Sequence, residues 1–179
     1  APSFRNDIEH QADISEEIAR FYGYDKIPDR ALSGVADGRY TDRQKLEKLV
    51  TDVMLSEGLS EVCTYTFISP KQYDKLRLPA DSPRRDSVKI MNPLGEDTSI
   101  MRTTAVPSML DVLSRNYNNR NPKAAMFEIA VSFKPRGTKE LPEEPKNIVI
   151  GLYGEEYDYF TLKGVIEELL CKTGITDYD

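Results

Sequence analysis

Asp13, Glu16 and Glu17 stand at i, i+3 and i+4, so a helix through them sets three carboxylates on one face of its first turn. Asp7 precedes them in a segment that reads as extended and can turn toward the same place. Carboxylates this close repel one another unless a cation compensates, and hard divalent ions prefer carboxylate oxygens. The cluster is therefore a candidate Mg²⁺ site or a docking point for basic side chains of a partner. A purely structural explanation stands beside it. Asp13 suits a helix N-cap, Glu16 falls at the third helical position, and acidic residues favour the positive end of a helix dipole. Spacing alone leaves both open.

Other chemistries are poorly supplied. His10 is the single histidine, which removes HExxH zinc sites and leaves no convincing Ser-His-Asp set. Cys63 and Cys171 are the two cysteines, far apart, so neither a disulfide framework nor a cysteine-rich zinc site is expected; both read as small buried hydrophobes. No GxxxxGK[ST] phosphate loop occurs, and Gly34 and Gly38 alone are weak signals. The 30 acidic against 24 basic residues give a net charge of −6, which opposes a free-standing nucleic-acid binder, because phosphate needs a cationic face. Tyr153, Tyr157, Tyr159 and Phe160 form an aromatic group suited to base stacking, but Glu155, Glu156 and Asp158 beside them repel phosphate, so packing is the expected role.

The elements that must position these residues follow from periodicity. Asp13–Tyr22 reads as a helix with Ile14, Ile18, Phe21 and Tyr22 on one face, stopped by Gly23. The stretch 28–40 reads as a linker and domain boundary. A helix over Asp42–Ser56 has Thr41 and Gln44 as a capping box and Gly58 beyond its end. Strands are expected over 61–68, near Val88–Leu94, over 125–133 and over 147–153. Further helices are expected from Ser69-Pro70 to Leu76, over 105–117 and over 160–173. No apolar run approaches the ~20 residues of a membrane span, and no secretory signal is expected. A hydrophobic share of 39% fits a folded chain rather than a disordered one. Strands mixed with helices without βαβ alternation predict an α+β fold, with an antiparallel sheet flanked by helices.

Several strings, in order, carry more specific information. PSFRNDIEHQADISEEIARFYGYDKIP at 2–28, NPLGEDTSIMRTTAVPSML at 92–110, NYNNR at 116–120, MFEIAVSF at 126–133 and YFTLKGVIEELL at 159–170 together resemble the β subunit of bacterial phenylalanyl-tRNA synthetase. The resemblance implies two parts. Residues 1–38 would be the C-terminal end of a small domain plus linker, and residues 39–179 a class II synthetase-like core, truncated at its C-terminal end and catalytically inactive. It departs from the family at Ala130, where FEIG reads FEIA, and at Thr161, where an Asp is frequent.

The resemblance also implies roles. The family enzyme joins phenylalanine to tRNA(Phe) with ATP and Mg²⁺ in the cytoplasm, as an (αβ)₂ tetramer whose α subunit holds the active site. The β core would pack against α as a structural and assembly region. The DI…AD…EE positions, here Asp7, Asp13, Glu16 and Glu17, would hold Mg²⁺ together with α. Arg102 lies in a segment used at subunit interfaces; from the residues themselves, Asn116 and Arg120 are either further interface groups or a helix-ending turn. Class II catalysis usually needs an arginine two residues before the Glu matched by Glu128, and Met126 stands there. A thioether cannot grip a phosphate as a guanidinium does. A free-standing tRNA-binding module with a synthetase-like fold is the alternative, opposed by the net charge.

Overall fold

The structure is a computed structural model that describes residues 1–34, 38–137 and 140–178. The chain divides into two compact units, Ala1–Arg39 and Tyr40–Asp179. Of the linker expected over 28–40, residues 35–37 lie outside the described residues, and the rest carry no helix or strand.

In the first unit, helix α1 (Gln11–Tyr22) is followed by a 3₁₀ turn, Tyr24–Lys26. Gly23 joins them at φ 104°, a backbone conformation that L side chains disfavour. The helix begins two residues earlier than the expected Asp13. The cause is a capping interaction in which Asp13 sits at the third helical position rather than at the cap. Its Oδ2 accepts the backbone N–H groups of Glu9 (2.9 Å) and His10 (2.7 Å). The stripe of Ile14, Ile18, Phe21 and Tyr22 is exposed.

The second unit is layered. Helix α2 (Asp42–Ser56) has the expected cap: the Gln44 amide N–H donates to Thr41 Oγ1, and Gln44 Oε1 accepts from the Thr41 N–H. The chain then enters β1 (Ser60–Glu61) and β2 (Phe67–Ile68), followed by α3 (Lys71–Lys75), β3 (Ile100–Met101), α4 (Val106–Asn118), β4 (Ala124–Val131), β5 (Lys146–Tyr153) and α5 (Tyr159–Thr173). Pro107 lies in the first turn of α4, where its missing N–H leaves no bond unmade.

Strand β4 is the centre of a three-stranded sheet, antiparallel to β5 and parallel to β1. The single strand expected over 61–68 is two short ones, because β1 pairs with β4 whereas β2 pairs with β3 in a separate two-stranded ribbon. The residues between them cross from one to the other. The strand expected near Val88–Leu94 is reduced to one bridge, Lys89 with Ile100.

Side chains alternate along β4 and so face two different layers. Phe127 is fully buried and packs with Val53, Met54 and Leu59 from α2 and its exit, and with Val165 and Leu169 from α5. Met126 and Glu128 point to the other face, where α4 lies. Gly151 is the register partner of Met126, and a Cβ there would meet Leu113 Cδ1 at 2.7 Å and Met109 Cγ at 2.9 Å. The missing side chain is what lets α4 approach β5 this closely. Helix α5 starts on Asp158, whose Oδ1 accepts from the Thr161 N–H at 2.8 Å and its hydroxyl at 2.9 Å. Thr161 thus serves the cap at the position where the resemblance expects an acid.

Candidate functional site

The four acidic residues of the first unit do not converge as one cation-binding group. Asp7 and Glu17 come together on Arg5: its Nη2 donates to Asp7 Oδ2 at 2.7 Å and to Glu17 Oε1 at 2.8 Å, and its Nε donates to Asp7 Oδ1 at 2.9 Å. Glu17 is also paired with Arg20, one turn along α1. Asp13 is turned to the backbone amides of Glu9 and His10, and Glu16 is exposed.

Electrostatics follow this geometry. The Arg5 guanidinium holds the Asp7 carboxyl down at about 2, with a further contribution from a backbone N–H. Hydrogen bonds from Arg20 and then Arg5 lower Glu17, and the two carboxylates raise Arg5 in turn. Among the described residues, no group of three or more His, Cys, Asp or Glu side chains is placed to hold a metal ion. In this chain by itself, the acidic cluster expected at Asp7, Asp13, Glu16 and Glu17 does not fit Mg²⁺. Asp7 and Glu17 are held by guanidinium groups, and Asp13 Oδ2 by the helix start.

The second unit contains a buried polar centre at Arg102. Arg102 was expected at an interface, yet it is 1% exposed and lies inside the core. Its Nη2 donates to Glu128 Oε1 at 2.9 Å, its Nε to the Val131 carbonyl at 2.9 Å, and its Nη1 to Thr64 Oγ1 at 2.6 Å. Thr64 in turn donates its hydroxyl to Glu128 Oε2 at 2.7 Å. The chain leaving Arg102 bonds β4's exit, the Phe133 N–H donating to the Arg102 carbonyl at 2.8 Å. A buried arginine must be neutralised and hydrogen-bonded, and Glu128 on the inner face of β4 does this. No spacing pattern links residues 64, 102 and 128, so only the folded chain brings them together.

Asn116 and Arg120 separate as well. Asn116 Nδ2 donates to the Val112 carbonyl at 3.0 Å, its Oδ1 accepts from Asn121 Nδ2 at 2.8 Å, and its carbonyl accepts the Asn121 N–H at 3.2 Å. It closes the end of α4 rather than presenting its amide outward. Arg120 adopts φ 63° just past that end, the position where glycine is usual, and its side chain is exposed. Cys63 and Cys171, expected to be buried, are exposed. Met126 is half-buried beside α4, with its sulfur 4.0 Å from Asn116 Nδ2.

An α+β domain with helices on both faces of a small, largely antiparallel sheet is the fold of class II aminoacyl-tRNA synthetases. The chain superposes on pyrrolysyl-tRNA synthetase from Desulfitobacterium hafniense with a TM-score of 0.56 at 16% identity, covering 77% of this chain and 47% of that one. Within that class, residues 27–179 match the family model of the phenylalanyl tRNA synthetase beta chain CLM domain, and residues 1–24 match that of the tRNA synthetase B5 domain. The chain belongs to the phenylalanyl tRNA synthetase beta chain family. It is 46% identical over 176 residues to the phenylalanine–tRNA ligase beta subunit of Clostridium tetani, and 44% identical over 178 residues to that of Clostridium acetobutylicum. The aligned regions take in 97% and 98% of this chain and 22% of each relative, so the chain spans about a fifth of the length of these curated relatives.

Proposed function

We propose that this chain is a non-catalytic assembly region of a phenylalanine–tRNA ligase beta subunit, packing against the catalytic α subunit in a cytoplasmic (αβ)₂ enzyme. That enzyme would charge tRNA(Phe) with phenylalanine at the expense of ATP. Residues 1–38 form the C-terminal end of the small domain with its linker, and residues 39–179 the synthetase-like core.

The observation that carries the non-catalytic reading is the state of Glu128. A carboxylate that works on a substrate must face a space the substrate can enter. Glu128 is 4% exposed and spends its oxygens on Arg102 and Thr64. Met126, two residues earlier on the same face of β4, offers no charge for a phosphate. The inner face of β4 is closed by α4 and the chain's own polar side chains. The core therefore keeps the layers of the fold and uses them for packing.

A contribution to a Mg²⁺ site belongs to the assembled enzyme in this reading. The acidic residues of this chain alone do not fit the ion, so a carboxylate from α would have to join them. Arg120, exposed and without a side-chain ion pair among the described residues, is the interface arginine of the expected set. Two assays test the proposal. The purified chain should give no phenylalanine-dependent ATP–pyrophosphate exchange, and it should co-elute with the α subunit in size-exclusion chromatography with light scattering. Exchange activity by the chain alone would refute the reading. Salt-dependent tRNA binding without co-elution would favour the nucleic-acid-binding alternative.

A further inference from the structure

The acidic cluster disagrees with its expected role in a way that has chemical content. Asp7 and Glu17 are separated by ten positions in sequence, and each places an oxygen on the same guanidinium nitrogen of Arg5. Asp7 is held through both of its oxygens, in the forked geometry that makes arginine–carboxylate pairs strong and directional. Glu17 gives its second oxygen to Arg20. The four side chains form a closed set of two cations and two anions.

A Mg²⁺ ion bound by these carboxylates would meet two obstacles. It requires oxygens at about 2.0–2.1 Å in octahedral order. An ion bridging the oxygens that now share Arg5 Nη2 would therefore press against the guanidinium. It would also bring two positive charges beside the Arg5 and Arg20 guanidinium groups, which repel it. Asp13 is oriented by the amides of Glu9 and His10, which both donate to its Oδ2 and start α1.

We infer that Arg5 is the resident cation of this cluster, so that Arg5 and a divalent ion compete for Asp7 and Glu17. The pairing ties the extended segment at residues 5–7 to α1. A divalent ion enters only when Arg5 is withdrawn. This inference rests on the geometry of the first unit and is independent of the assembly reading.

The test uses the 179-residue chain without any partner, with Mg²⁺ as the probe. The side-chain carboxyl carbons of Asp7 and Glu17 and the Arg5 Nε–H are followed by NMR. In the wild-type chain, millimolar Mg²⁺ should leave these resonances in place. In R5Q, the carboxyl resonances should respond saturably, with an apparent dissociation constant at least about tenfold lower, since one opposing charge is gone. Equal Mg²⁺ responses in the two proteins would overturn the inference. So would loss of the wild-type Arg5 Nε–H signal at Mg²⁺ concentrations that leave Asp7 and Glu17 unmoved. If R5Q loses the helical signal of α1, R5K decides the matter: retained exclusion of Mg²⁺ supports competition by charge, and Mg²⁺ binding as tight as millimolar overturns it.

Discussion

Two arginine–carboxylate centres in this chain use the same functional groups and do opposite things. Arg102 and Glu128 are buried in the second unit, and Arg5 with Asp7 and Glu17 lies at the surface of the first. The difference is solvent. Inside the core neither partner has water to fall back on, so removing one leaves an uncompensated charge in a low-dielectric space. At the surface each partner can be rehydrated, so the pairing contributes little to stability and can be exchanged for another cation. Burial converts an ion pair into part of the scaffold, and exposure leaves it open to competition.

The sharpest way to break this comparison is at the buried pair. E128L should destabilise the chain by about 3–5 kcal/mol in urea unfolding, because Arg102 then stays charged and unpaired. R102M/E128L should cost far less than the sum of its two single changes, the charge having left with its partner. Additive costs would show that the two residues are not coupled and that the buried centre is ordinary packing.

Next in size is the packing that closes the inner face of β4. G151A should cost about 1–3 kcal/mol, since the new methyl meets Leu113 and Met109 inside contact distance. A neutral result would mean that α4 is free to shift and that the face is not closed.

The surface centre should respond to pH instead. The folded pKa of Asp7 lies below its ordinary value of 3.8, at about 2. The Arg5 pairing is thus fully present above pH 3.8 and is lost as pH falls through about 2. The Asp7 carboxyl carbon should titrate near the lower value in wild type and higher in R5Q, where only the backbone N–H still lowers it. The urea midpoint of the second unit should be the same in both. A wild-type titration at the ordinary value would erase the contrast between paired and free carboxylate.

The smallest effect on the fold is expected at Arg120. Glycine suits its left-handed backbone, so R120G should leave stability unchanged or raise it by under about 1 kcal/mol. If Arg120 docks the α subunit, the same variant should elute less completely with α. A normal complex would remove Arg120 from the interface.

Much of the local structure is legible in the sequence. Periodicity and caps located α2 from Asp42 to Ser56, with its Thr41–Gln44 box, and the alternation of Phe127, Ile129 and Val131 located β4. These depend on neighbours within one or two turns. The start of α1 was misplaced because Asp13 can cap from either of two positions, and only the path of residues 9–10 selects one. The strand expected over 61–68 was misjudged for a similar reason. Its two halves are strands only through different partners, β4 and β3.

The sequence by itself determined the class of fold, the longer helices and the family, because strings of local pattern survive without knowledge of contacts. It also placed four carboxylates near one helix. Tertiary structure decided what the charged residues do. Arg102 read as an interface arginine; only the approach of Thr64, between β1 and β2, and of Glu128 on β4 makes its burial tolerable. The acidic cluster left a cation site and a helix cap both open; Asp13 takes the cap, and the cation beside Asp7 and Glu17 is Arg5, supplied by the chain itself. Charge patterns along a sequence say that compensation is needed. Which group supplies it depends on distances that exist only once the chain has folded.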